Sequence, residues 1–141
     1  MDNLRWIKKV LWHKWLVLFV GLKVGGISFW QLLVHDLSKL SIYEFPFYRD
    51  KFIKKNCADS DWEIAAHHHL SGNKHHWENW IYARTGQPLP MPEKYVREMV
   101  VDWMATSREL TGSWNISGWL EAEYPKMKLH SQTKVFLLGV P

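Results

Sequence analysis

The sequence predicts an all-α protein, a single compact helical bundle spanning residues 1–141. Three observations lead there. Val96, Met99, Val100, Trp103 and Met104 recur at the i, i+3, i+4, i+7 spacing that lines one face of a helix. Few segments alternate apolar and polar residues strictly enough to be strands. Glycine, proline, serine and asparagine punctuate the chain between the periodic segments, where helices start and stop. With 141 residues and 16.8 kDa, the chain suits one domain with one sizeable core. Its 47% hydrophobic and 15% aromatic content excludes a disordered chain.

In chain order, Leu4 to Leu22 reads as a mainly apolar helix, and Gly25-Gly26 offers a break or a close crossing before a second helix over Ile27 to Leu37. Ser41 can cap a helix that includes Glu44, with Pro46 near its start and Tyr48, Phe52 and Ile53 on one side. Asp59 or Ser60 caps a helix from about Asp61 to Leu70, which Gly72-Asn73 ends because both residues tolerate left-handed backbone. A helical pattern returns over His75 to Thr85. A proline-rich loop, Gly86 to Pro92, then leads into the clearest helix, which runs to Thr111-Gly112. A helix around Trp119 to Tyr124 is halted near Pro125, and Lys134 to Leu138 forms a last short apolar segment.

The net charge of +4 and the pI near 9.2 favour anionic partners, but the excess is spread along the chain. A small phosphorylated molecule satisfies it as well as nucleic acid does, and no stable nucleic-acid partner is expected. Cys57 is the only cysteine, which excludes an intramolecular disulfide and a cysteine-rich zinc site and suits the cytoplasm. The most apolar stretch, Val10 to Val34, is interrupted by His13, Lys14, Lys23, Gln31 and three glycines. It therefore predicts buried helix, with no transmembrane segment and no signal peptide.

Eight histidines are present, and six of them lie in the pair His35-Asp36 or the run from His67 to His76. Neutral imidazoles and carboxylates are the nitrogen and oxygen ligands of zinc, iron, manganese and related ions. His68 with His75 and His69 with His76 are seven apart, so a continuous helix would put each pair on one face; a break at Gly72 would turn two helix ends toward one centre. Either geometry makes ligands converge. His130 stands apart and is read as an ordinary residue.

The order His13, then His35-Asp36, then Asp102 resembles the H…HD…D signature of HD-domain phosphohydrolases, which are helical and bind one or more metals at that site. The segment His35-Asp36-Leu37-Ser38-Lys39 is also similar to the His-Asp-x-Gly-Lys form of the HD-GYP phosphodiesterases, whose later His-His pair, glycine-containing loop and further histidines look like His68-His69 and Gly72 to His76. The resemblance covers roughly residues 13 to 102. The Gly-Tyr-Pro signature is absent, so no cyclic-dinucleotide substrate is implied. Lys39 stands where HD-type nucleotidases carry a proton-transferring glutamate.

The resemblance implies one or two divalent ions (manganese, iron, cobalt, zinc or magnesium), with His13, His35, Asp36 and Asp102 on the first. Asp36 would bridge to a second held by His68 or His69 and His75 or His76. Lys39 is expected to hold a phosphate oxygen and Glu44 to transfer protons. Arg49, Lys51, Arg84, Asn73 and Trp77 or Trp80 are candidates for binding phosphate or base or for orienting substrate. The expected function is hydrolysis of a nucleotide or related small phosphate ester, as by a 5′-nucleotidase or a nucleoside triphosphate hydrolase. Two alternatives stay open: a di-iron oxygenase on the same scaffold, favoured by the surplus histidines, and a non-enzymatic binder. In the latter, Trp6, Trp12 and Trp15 with Lys8, Lys9 and Lys14 would make the first helix an interfacial membrane or partner-binding element. A homo-oligomer is also left open.

Overall fold

A computed structural model describes residues 1–140 of the chain; Pro141 lies outside the described residues. The fold is all-α, with α1 (Asp2–Val24), α2 (Phe29–Val34), α3 (Phe45–Arg49), α4 (Asp59–Gly72), α5 (Glu93–Thr111), α6 (Ser117–Glu123) and α7 (Ser131–Leu138). The two long helices α1 and α5 pack on each other and carry the rest. Each ends at a glycine with positive φ, Gly25 at φ 71 in an extended form and Gly112 at φ 77 in the left-handed helical form.

Three apolar clusters build the interior. Leu16, Val17 and Val20 of α1 meet Leu32, Val101 and Ala105. Met91, Val96, Met99 and Val100 meet Leu129 and Leu137 of the C-terminal segment. Trp6 and Val10 meet Tyr48 and Ala65. His13 sits between Val10 and Leu16, and Asp102 sits beside Val101, so α1 and α5 bring polar groups to the junction of these clusters. Gly21 lets Leu32 pack directly against the α1 backbone, where a Cβ would collide with its side chain. That close crossing brings the end of α2 to the level of His13.

Three expected elements differ. The second helix starts later than Ile27, capped by Ser28, whose hydroxyl accepts from the Gln31 N–H, and it stops at Val34. The helical pattern over His75 to Thr85 gives only a 3-10 turn (Trp77–Trp80) and a small antiparallel hairpin, β1 (Ile81–Tyr82) with β2 (Gln87–Pro88). Packing outweighs the local pattern here. Trp77 and Trp80 lie against the Met91–Leu129 cluster, the Trp80 indole donates to the Lys74 carbonyl at 2.8 Å, and the Trp80 carbonyl accepts from the Leu89 N–H at 2.7 Å. Glu44 precedes α3 instead of lying within it. His130 caps α7, accepting from the Gln132 N–H. No described helix is long and apolar enough to cross a membrane.

Candidate metal centre

His13 projects inward from the middle of α1, and Asp102 from the middle of α5. Between them comes the dipeptide His35-Asp36, placed by a local backbone event. Asp36 has φ 56, a left-handed conformation that aspartate tolerates better than most non-glycine residues. In a helix, side chains one residue apart point in different directions. The reversal at Asp36 instead lets both neighbours face the same interior point, and both are buried. His69 lies on the last turn of α4, and His75 and His76 follow in the segment that leaves Asn73.

Asp36 is the hub. Its Oδ2 faces His13 Nε2 at 3.9 Å and His35 Nε2 at 3.5 Å, and its Oδ1 faces His69 Nε2 at 3.4 Å and His75 Nε2 at 3.3 Å. Asp102 Oδ1 lies 2.9 Å from His13 Nε2 and 3.6 Å from His35 Nε2. His76 Nε2 is 2.9 Å from His69 Nε2. Two groups able to hold a metal therefore share Asp36: His13, His35, Asp36 and Asp102, and Asp36, His69, His75 and His76.

A second layer of carboxylates holds the opposite edge of the rings. Glu109 accepts from His13 Nδ1 at 3.2 Å, Glu98 from His35 Nδ1 at 2.9 Å, and Glu44 from His69 Nδ1 at 2.8 Å. Each bond turns Nε2 toward the centre, the usual arrangement behind metal-ligating histidines. A cation fits these residues. Among the described residues, His35 Nε2, His75 Nε2 and Asp36 Oδ1 are buried without a hydrogen-bond partner, and each such atom costs about 1–3 kcal/mol unless a ligand satisfies it.

The charge balance points the same way. Burial disfavours charge on His35, but Asp36 with Asp102 and Glu98 outweighs it and raises the imidazole to about 10. His13 is raised as well, its burial overcome by hydrogen bonds to Asp102 and Glu109. Asp36 and Asp102 sit well below the usual carboxylate range: burial opposes ionisation, yet the neighbouring imidazoles, and for Asp36 also Lys39, more than offset it. Burial, reinforced by His75, holds His76 well below the ordinary imidazole value, so it is neutral and ready to donate a lone pair. A cation would balance the same buried carboxylates that the imidazole protons balance.

The other expected residues are placed as follows. Lys39 is ion-paired with Asp36 Oδ2. It also lines a cavity of about 210 Å³ beside His13, with Trp6, Lys9, Tyr48, Phe52 and Glu109. Glu44, expected to transfer protons, is instead fully buried and engaged. Its oxygens accept from His68, His69 and Ser38, and these bonds outweigh burial and hold it ionised, so it orients His69. His68 points outward, its side chain 46% exposed, and stands outside both groups. Asn73 donates to Ser38 Oγ and the His69 carbonyl, bracing the end of α4.

The structure does not bring the remaining candidates to the centre. Arg49 is occupied by Asp50 and Asn3, Lys51 lies near Asp59, and Arg84 is exposed in the turn of the hairpin. Trp77 and Trp80 pack in the Met91–Leu129 cluster.

Over residues 2–140 the chain matches the model of a family of unknown function, DUF5662. It belongs to that family. No curated protein and no solved structure matches it.

Glu98 and Glu109 were not anticipated, although a signal for them exists. They lie four residues before and seven after Asp102, on the same face of α5. On a helix that already carries a candidate ligand, carboxylates at those offsets face the same site, and these two reach His35 and His13.

Proposed function

We propose that the protein is a metal-dependent phosphohydrolase of the HD type, acting on a nucleotide or a related small phosphate ester. The observation that carries this reading is the pair of histidine and carboxylate groups joined through Asp36, with Glu109 and Glu98 behind the histidines of the first and Glu44 behind His69 of the second. His13, His35, Asp36 and Asp102 would hold one divalent ion, and Asp36, His69, His75 and His76 a second. A bound ion would supply a water of lowered pKa and neutralise charge on a phosphoryl oxygen.

The chain's own residues supply the rest. Lys39 and Lys9 give the adjoining cavity positive charge that draws a phosphate toward His13, while Trp6, Tyr48 and Phe52 offer aromatic walls to a base. Glu109 also lines the cavity, and its Oε1 is buried without a partner while Oε2 holds His13. From that position it would be better placed for proton transfer than Glu44, whose oxygens are engaged by His68, His69 and Ser38. The test is a phosphate-release screen of nucleoside mono-, di- and triphosphates with added manganese, cobalt, magnesium, zinc or iron. Release that depends on metal and is lost in Asp36→Ala supports the reading; no release with any pairing overturns it.

A di-iron oxygenase is the second reading, favoured by the three imidazoles of the second group. It requires substrate-dependent consumption of dioxygen by the iron-loaded protein, which a hydrolase does not produce.

A further inference from the structure

The outer surface of α1 and α2 is unlike the rest of the molecule. Leu4, Leu11, Trp15 and Leu22 lie seven, four and seven residues apart, on the side of α1 opposite His13, Val17 and Val20. They are exposed, and beside them Trp12, Trp15 and Phe19 form a stacked ladder with centroids 5.4 Å apart at each step. Trp12 is 54%, Trp15 52% and, on α2, Trp30 70% exposed. α2 flanks this stripe, fastened by Lys14, which donates to the Leu33 and His35 carbonyls, and it shows Phe29, Leu33 and Val34 to the outside. Scattered exposed apolar residues need no explanation, but a continuous aromatic and aliphatic face on a monomer marks a contact surface.

The charges decide which contact. Arg5, Lys8 and Lys23 border the stripe, with Lys23 Nζ 4.2 Å above the Phe19 ring. The only carboxylate in residues 1–35 is Asp2. The exposed acidic residues lie elsewhere, as with Asp59, Asp61 and Glu63 on α4. A second copy docked through this face would bring the basic borders against each other, whereas an anionic lipid surface neutralises them while its interfacial zone accepts the indole rings. We propose that the α1–α2 face is a peripheral docking surface for anionic membranes, lying in the interface without spanning it. The inward face of α1 serves the metal centre, and the outward face holds the protein at a lipid surface.

The test is sedimentation of the full chain with vesicles of phosphatidylcholine alone and with vesicles in which about a third of the lipid is phosphatidylserine. Tryptophan emission and light scattering are measured in parallel. The expected result is a monomer that binds the anionic vesicles at least about tenfold more tightly than the neutral ones, loses this preference in high salt, and shifts its emission to the blue when bound. Lys8→Glu with Lys23→Glu should abolish the preference. Trp12→Ser with Trp15→Ser should weaken binding to anionic vesicles while circular dichroism stays helical. Equal binding to both vesicle types, no binding to either, or a stable dimer in which iodide cannot reach the tryptophans would overturn the proposal.

Discussion

The two halves of the centre are built differently around the same aspartate. On one side, His13 and His35 are held by Glu109 and Glu98, and Asp102 adds a second carboxylate; His13 and Asp102 sit in the middle of the two longest helices. On the other side, His69 is held by Glu44, but His75 Nδ1 lies 3.5 Å from a Glu98 already bonded to His35, and His76 has no carboxylate behind it among the described residues. His75 and His76 also belong to a segment outside any helix, and His76 is only half-buried. Ligands with two carboxylates and a rigid frame bind a divalent ion more tightly than imidazoles on a loop. On the proposed reading, the first group would be the tighter position and the second the exchangeable one.

Asp36→Ala breaks the comparison altogether, because it removes the residue common to both groups. It should abolish metal binding and phosphate release while far-UV circular dichroism keeps its helical form; metal analysis beside the spectrum checks it. Replacing His69 and His76 together separates the halves. One metal should be lost and the other kept, with turnover reduced at least about tenfold, the scale expected when a ligand or its support is removed. A variant with normal turnover and normal metal content would take the histidine run out of the centre.

Glu98→Gln acts on the frame alone. The glutamine can still accept from His35 but loses the charge that strengthens it, and metal affinity should fall about 10- to 100-fold in a competition with a chelating dye. Lys39→Ala should do the opposite to the two readouts. It removes a cation that competes for Asp36, so metal affinity should hold or rise while kcat/KM falls on the best phosphate ester.

The smallest expected effect is in the pH dependence of the metal-free protein. His35 is raised from 6.5 to about 10, so its charged form stabilises the fold. That contribution is fully present below about 6.5 and is lost as pH rises through about 10. Thermal melts should show this alkaline loss after chelation and not after metal loading, since a bound ion replaces the proton.

The helices and the first half of the centre were legible because their signals are local. The stripe in α5, the capping glycines and the order His13, His35-Asp36, Asp102 all stand in the sequence as patterns. The rest depends on packing. Nothing local says that Asp36 adopts left-handed backbone, or that Trp77 and Trp80 give up a helix to enter an apolar cluster. Glu44 reads as a proton-transfer candidate from sequence because nothing local shows that His68, His69 and Ser38 surround it. Arg49 and Arg84 were reasonable phosphate ligands only by nearness in sequence, which the fold does not convert into nearness in space.

Titration of metal-free protein with manganese, followed by calorimetry, tests the unequal, Asp36-linked pair of groups most directly. The wild type should show two binding events of different affinity, and the variant carrying His69→Ala and His76→Ala should keep only the tighter one. A single event of the same affinity and stoichiometry in both proteins would contradict the account.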